Sequence, residues 1–220
     1  MANTTFNGKV RSENGFAQIT KTAATGAITE NTTIDSSGNV SAGGTLSVTG
    51  RSTLTGNTIA TTAGTGITTG TGTVYEAGVI KIGEVFHTTI LIDLTGLASS
   101  GSGDIIGKAA TANSHIGQIT AAVNGTVLGG KLTCLEAPAG GDPDINLWYA
   151  DEATGAEDAA ITSLTNQIQM CDSGDLALNS VISIPTPPAA DKYIYMVTGA
   201  ATNADYTAGK ILIEFFGYSA

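Results

Sequence analysis

The chain has 220 residues, of which 29 are glycine and only 13% are charged, and its formal net charge is −10. This length allows one large domain, or one ordinary domain with an extension. The low charge excludes a coiled coil, and the excess of acid argues against nucleic acid as a partner, because phosphate binding requires clustered Lys and Arg. No basic and apolar leader opens the chain and no apolar run is long enough to span a bilayer, so we expect a soluble protein without membrane insertion.

Charge and aromatic content divide the chain. Residues 1–78 carry four basic and four acidic side chains, whereas residues 79–220 carry five basic and fifteen acidic ones. Nine of the twelve aromatic residues also lie after residue 78, and aromatic side chains supply much of the burial in a core. We therefore predict an anchoring segment over residues 1–20, a stalk and linker over 21–78, and a globular domain over 79–220.

The first twenty residues differ in composition from the Gly- and Thr-rich stretch that follows. They combine Phe6 and Phe16 with two Asn-Gly turns and the charged residues Arg11 and Glu13. An anchoring peptide has this composition, because apolar side chains fill pockets while charged ones fix the register. The alternative is a frayed terminus.

A six-residue repeat follows from Gly38 to Gly56, with a small or medium apolar residue four positions after each glycine. The pattern is typical of short extended segments separated by glycine corners. Four units are too few for a single-chain β-helix, since repeat folds need about three stacked coils. Three chains wound together would supply the missing neighbours, so the repeat predicts a homotrimeric stalk, β-helical or β-spiral. The alternative is a flexible Gly/Thr linker, which residues 62–73 resemble most.

Alternating apolar and polar residues dominate after residue 79. Residues 80–94 are interpreted as one long strand with a buried even-numbered face and a bulge near Gly83. Further strands are predicted over 117–123, 131–137, 145–150, 176–184, 192–198 and 208–218, with one weak helix over 157–170. This number of strands predicts an all-β fold, a jelly-roll-like antiparallel sandwich. Because residues 210–218 are apolar on both faces, we expect the last strand in the middle of the sandwich or against another subunit.

Residues with catalytic chemistry are sparse. His87 and His115 stand at no metal-binding or catalytic spacing, and no nucleophile elbow or phosphate loop is present. We therefore predict a protein that is not an enzyme, with no catalytic residue, no cofactor and no metal. Cys134 and Cys171 lie in or beside apolar segments without CxxC spacing, which favours two buried free thiols over a disulfide.

Two groups of side chains carry alternative interpretations. The acidic residues Asp142, Asp144, Asp151, Glu152, Glu157 and Asp158 could hold Ca²⁺, but they lack the DxDxDG order and are as well explained by a solvated acidic surface. Trp148 and Tyr149 could form a platform that stacks on a sugar, although core packing is favoured for a single Trp in an all-β domain.

Three segments, FNGKVRSENGF, GNVSAGGTLSVTG and KILIEFFGYSA, together resemble virion structural proteins of tailed phages, especially marine and cyanobacterial phages. The resemblance implies a homotrimeric capsid decoration or cement protein, or a short head fibre, that is assembled in the host cytoplasm and binds the major capsid protein on the outer surface of the virion head. The capsid contacts that it implies are Phe6, Val10, Arg11 and Phe16. The residues that it places along the trimer axis are Val48, Leu54 and Ile59.

A second hypothesis is a tail-fibre or head-fibre tip that binds a host surface polysaccharide, with Trp148 and Tyr149 as glycan contacts. A glycan-cleaving spike enzyme is the third, and it would need paired carboxylates in a groove. The chain lacks the long β-helix that builds such a groove, which argues against the third hypothesis.

Overall fold

The computed structural model describes residues 16–21, 25, 28–34, 40–42 and 62–219. Backbone proximity divides the chain into two compact units, Met1–Thr55 and Gly56–Ala220. Antiparallel sheets dominate the described parts of both units, and the helical segments described are single turns. The predicted all-β class is therefore confirmed.

The first unit contains a three-stranded antiparallel sheet in the order β1–β2–β3. Its strands are β1 (Phe16–Lys21), β2 (Ile28–Ile34) and β3 (Val40–Ala42). The start of the six-residue repeat, at Val40–Ala42, pairs antiparallel with Thr32–Ile34. The repeats from residue 43 to residue 61 lie outside the described residues, so the trimeric stalk stays a prediction.

The second unit contains two larger antiparallel sheets. The five-stranded sheet has the order β11–β8–β14–β5–β4, the four-stranded sheet has the order β10–β9–β12–β7, and β6 pairs with β13. The strands are β4 (Val74–Ile82), β5 (Val85–Asp93), β6 (Ala98–Ser99), β7 (His115–Ile119), β8 (Thr126–Ala139), β9 (Ile145–Ala150), β10 (Ile168–Cys171), β11 (Val181–Ile184), β12 (Lys192–Thr198), β13 (Ala204–Asp205) and β14 (Ala208–Tyr218). The helical turns are α1 (Thr65–Thr68), α2 (Ala121–Asn124) and a 3₁₀ turn at Ile161–Ser163.

One apolar core joins the two larger sheets. Ile92 and Ile213 of the five-stranded sheet and Leu147 and Met196 of the four-stranded sheet belong to the same fully buried cluster. Alternate residues of a strand point to opposite faces, which is why these side chains share the inner side of their sheets. The core also contains both thiols, which are free as predicted, and burial raises the pKa of Cys171 to about 11.

Residues 74–93 form a hairpin, so the prediction of one long strand over 80–94 was wrong. Gly83 adopts a φ of +62° in the turn, and Ile82 pairs with Val85 across it. A two-residue turn places residue i and residue i+3 on the same face, so an even position before the turn matches an odd position after it. The even-numbered residues of β5 are buried as predicted, whereas Ile80 and Ile82 lie on the opposite, exposed face.

Residues 62–73, which resemble a linker in sequence, pack against the globular unit. Ile67 is fully buried in the core, and the Gly66 amide donates to the carbonyl oxygen of Asn113 at 3.1 Å. A Cβ atom at Gly66 would collide with the Ser114 side chain, so glycine is required by close approach rather than by flexibility. The globular unit therefore begins before residue 79.

The helix predicted over residues 157–170 is not formed. That range contains the 3₁₀ turn at Ile161–Ser163 and the start of β10. Asp158 and Asn166 have φ values of +64° and +51°, which a right-handed helix does not accommodate.

The last strand, β14, is central in its sheet, between β8 and β5. Ile211, Ile213 and Phe215 point into the core. The even-numbered residues from Lys210 to Tyr218 lie on the other side of the sheet, and they range from half-buried to exposed. The second apolar face of this strand is thus left outside the core.

Candidate interaction surface

The five-stranded sheet has a second face turned away from the core, which we call the outer face. Residues directly opposite each other in an antiparallel pair point to the same side, so the register assigns this face. Phe216 pairs with His87, and His87 pairs in turn with Ile80. The large apolar residues with at least 40% exposure that the register assigns to this face are Val74, Ile80, Ile82, Val85, Val181, Phe216 and Tyr218. Leu128 and Leu135 are also exposed, at irregular positions of β8 beside the buried residues Val127 and Cys134.

Five of these residues cluster at the β4–β5 turn, and we call them the hairpin patch: Ile80, Ile82, Val85, Phe216 and Tyr218. The register places them in two rows across β4, β5 and β14. Ile82 is 74% exposed, Ile80 59% and Val85 54%. Contiguous apolar patches larger than a few hundred Å² are uncommon on soluble monomers, which makes the hairpin patch a candidate interaction surface.

An open groove lies on the outer face beside the hairpin patch. Gly78 stands opposite Thr89 in the β4–β5 pair, and the missing side chain leaves space between the strands. Leu91, Leu212 and Ile80 line the groove with Thr89 and Gly78, and its volume is about 400 Å³. Its lining is mostly apolar, so it extends the hairpin patch toward the middle of the sheet.

Most charged side chains on the outer face are paired, whereas Glu76, which stands opposite Leu91, has no ion pair among the described residues. The Glu214 carboxylate accepts from Lys131 Nζ at 2.9 Å and lies 3.0 Å from His87 Nε2. Burial alone would raise the pKa of Glu214, but the hydrogen bonds from Lys131 and His87 and their positive charge lower it overall. At the other end of the sheet, Lys210 Nζ lies 2.7 Å from Glu136 and 3.3 Å from Asp93.

The five-stranded sheet carries less net acid than the rest of the globular unit. The sheet with its β4–β5 turn has three lysines and five carboxylates, whereas the rest of residues 62–219 has two lysines and eleven carboxylates. The formal charge of the sheet is therefore −2, against −9 for the remainder of the described unit. Such an asymmetry favours contact between two like-charged molecules through their less acidic surfaces.

The acidic residues considered for calcium are dispersed, because most of them bind separate partners in their own loops. Asp151 accepts from Lys192 and Asn166, Glu152 from the amide of Thr165, Glu157 from the amide of Ala110, and Asp158 from Ser100. Across the described residues, no group of three or more His, Cys, Asp or Glu side chains is arranged to hold a metal ion.

Asp142 and Asp144 form an acidic pair between β8 and β9, of which Asp142 is buried and Asp144 half-buried. Asp142 has no exposed surface, and its Oδ1 accepts from the Asp144 amide at 3.0 Å. Asp142 Oδ2 and Asp144 Oδ1 are buried without a hydrogen-bond partner among the described residues. Burial, followed by the charges of Asp172, Asp142 and Asp175, raises the pKa of Asp144. The Asp144 carboxylate therefore opposes folding when it is ionised.

Trp148 and Tyr149 do not form a joint platform, because neighbouring residues of β9 point to opposite faces. Tyr149 is buried in the core between the sheets. Trp148 packs on a second cluster that includes Ile105, Ile161 and Tyr195, and its Nε1 is buried without a partner among the described residues. Tyr149 is therefore a core residue, whereas Trp148 is half-buried.

The two histidines have structural contacts. His87 stacks on Phe216 with ring centroids 4.9 Å apart and an interplanar angle of 18°. His115 meets the Tyr193 ring edge-on at 5.0 Å, and burial lowers the pKa of His115.

The residues predicted to contact a capsid or to line a trimer axis lie mainly in the first unit. Phe16 is the first residue of β1, opposite Ile34. The others, Phe6, Val10, Arg11, Val48, Leu54 and Ile59, lie outside the described residues. The outer face was not predicted as a site. The sequence pattern that indicates it is the presence of apolar residues on both faces of the last strand.

Comparisons with known proteins do not assign a family: no protein-family model matches the chain, and neither does any curated protein or solved structure. No helix in the described part of the chain has the length and apolar character needed to cross a membrane. A functional proposal must therefore be argued from the sequence segments and from the surface of the globular unit.

Proposed function

We propose that this protein is a structural component of a phage virion, a homotrimeric decoration or cement protein that binds the major capsid protein and stabilises the shell without enzymatic activity. The observation that carries the proposal is the segment FNGKVRSENGF, which precedes the small sheet of a unit separate from the globular unit. This organisation suits a protein that attaches through an N-terminal segment and carries a separate β domain.

The N-terminal segment would supply the attachment. Phe6, Val10 and Phe16 would fill apolar pockets on the shell while Arg11 fixes the register. A ligand that binds the assembled shell and not its free subunits shifts the equilibrium toward assembly. Three such segments in one trimer would bind together, which raises the effective affinity without any new contact.

The stalk and the globular unit, which we call the head, would have different roles. Val48, Leu54 and Ile59 would pack along the trimer axis, and the two larger sheets would form a jelly-roll-like head. The acidic surface of that head would repel neighbouring particles and nucleic acid released on lysis.

Deletion of residues 1–20 tests the proposed attachment. Purified full-length and truncated chains are mixed with undecorated shells, and the bound fraction is measured by co-sedimentation. We expect the truncated chain to lose binding while its oligomeric mass is unchanged, because the stalk is retained. Normal decoration by the truncated chain would contradict the proposal.

Copy number separates this proposal from the fibre-tip hypothesis. A decoration protein occurs in many copies per particle, which quantitative mass spectrometry or a cryo-EM map measures directly. Few copies, together with saturable glycan binding that weakens in Trp148→Ala, would favour the fibre tip instead.

A further inference from the structure

We infer that the outer face of the five-stranded sheet is covered by another copy of this chain, with the hairpin patch as the main apolar contact. The inference deepens the proposed function and rests on it for the presence of several chains in one assembly. It assigns the contact between the globular units, which neither the anchoring segment nor the repeat specifies.

The outer face is large enough for a specific interface. Five strands about 4.8 Å apart, which range from four to 14 residues and average about nine, present roughly 700 Å² at about 3.3 Å per residue. A standard protein interface buries about 800 Å² on each partner. The face by itself therefore comes close to the area that a stable complex requires.

The residue types on this face are those found in interfaces. Stable interfaces combine apolar surface that contains aromatic residues with polar groups that are paired. The hairpin patch supplies Phe216 and Tyr218 beside three aliphatic residues at the turn end of the sheet. The ion-paired groups around Glu214 lie beside the patch toward the middle of the sheet, and those around Lys210 lie at the far end.

Charge favours a second copy over a basic partner. A basic partner would be attracted to the acidic remainder of the globular unit rather than to the less acidic outer face. Two copies of the globular unit repel each other least where both are least acidic. The outer face belongs to that part of the unit, and its carboxylates Asp93, Glu136 and Glu214 are paired with lysine or histidine, which leaves Glu76 as the exposed carboxylate that the contact must accommodate.

Site-specific photo-crosslinking tests the contact. A benzophenone amino acid replaces Val85 in the hairpin patch of the purified full-length chain. As a matched control, it replaces Ile168, which is 44% exposed and lies on the four-stranded sheet. We expect the probe at position 85 to give a product of twice the 22.0 kDa chain mass, and the probe at position 168 to give little of it.

A double substitution then breaks the contact. Ile80→Lys with Ile82→Lys introduces charge at the centre of the patch, and the yield of the position-85 product should fall about tenfold. Both side chains are exposed, so circular dichroism should show an intact fold. Ile82→Ser is the milder variant, which should lower the yield in the same direction if the double variant misfolds.

The outcomes separate the two proposals. Absence of chain-to-chain product from position 85, or equal yields from positions 85 and 168, would overturn the inference. Crosslinking to capsid protein in place of this chain, on decorated shells, would also overturn it. Crosslinking between copies that do not bind any shell would contradict the virion function and leave the contact between copies standing.

Discussion

The two larger sheets of the globular unit differ in what covers the side of each sheet that faces away from the common core. On the four-stranded sheet, Ile105 and Ile161 from loops of the same chain pack against Tyr195 and Val197. On the five-stranded sheet, the hairpin patch is exposed. A strand that is apolar on both faces can thus have its second face buried by its own chain, as in the four-stranded sheet, or left exposed, as in the five-stranded sheet.

Substitutions on the two faces should affect different free energies, that of unfolding and that of association. Removal of a side chain from the covered face should destabilise the monomer, because that face is part of its packing. Removal from the outer face should leave the monomer nearly unchanged and weaken association. Three pairs of variants measure this difference, from the largest expected effect to the smallest.

Ile105→Ala should have the largest effect on folding. Ile105 is fully buried in the second cluster, and its truncation leaves a cavity that costs about 2–5 kcal/mol. Ile80→Ala on the outer face is the control, with an expected change within about 0.5 kcal/mol. Urea denaturation followed by circular dichroism measures both changes at a protein concentration too low for association. Equal losses of stability would mean that the two faces do not differ in the monomer.

Tyr195→Phe should have the next largest effect. The Tyr195 hydroxyl donates to the Glu152 carbonyl oxygen at 2.5 Å and accepts from the Gly155 amide at 3.2 Å. Its removal leaves these buried groups unpaired, at a cost of about 1–3 kcal/mol. Tyr218→Phe, on the exposed outer face, is the matched control and should change the free energy of unfolding little. A destabilised Tyr218→Phe monomer would show that the outer face already contributes to monomer packing.

Asp144→Asn and Glu214→Gln should have smaller effects of opposite sign. The pKa of Asp144 is raised by burial and neighbouring carboxylates, so its ionised form destabilises the folded state, and Asp144→Asn should raise Tm at pH 7. Burial also raises the pKa of Glu214, but its partners Lys131 and His87 lower it overall, so its ionised form stabilises the folded state and Glu214→Gln should lower Tm at pH 7.

The pH dependence of Tm checks these signs by calorimetry. The gain from Asp144→Asn should shrink as pH falls through the raised pKa of Asp144 and vanish below the ordinary value of 3.8. The loss from Glu214→Gln should begin to shrink as pH falls past 4.5, the ordinary value, and disappear below the lowered pKa of Glu214. Effects of the same sign at pH 7 would contradict the assigned environments.

Prediction from sequence succeeded where the alternation of apolar and polar residues within a strand determines which of its side chains are buried. The strands predicted over 145–150, 192–198 and 208–218 agree with β9, β12 and β14. It failed where a single glycine is compatible with two different local structures. Gly83 could mark a bulge or a turn, and only the pairing of Ile82 with Val85 identifies the turn. Gly66 could serve flexibility or close packing, and only its contact with Ser114 identifies the packing.

The sequence by itself determined the all-β class, the free thiols and the concentration of acid after residue 78, because these follow from composition and from a period of two residues. The tertiary structure alone decided which apolar face is exposed. Ile105 and Ile161 are remote in sequence from Tyr195, and their return to the four-stranded sheet leaves no trace in the local pattern of β12. Alternation indicates which strands are apolar on both faces, whereas the path of the chain determines which of those faces is buried.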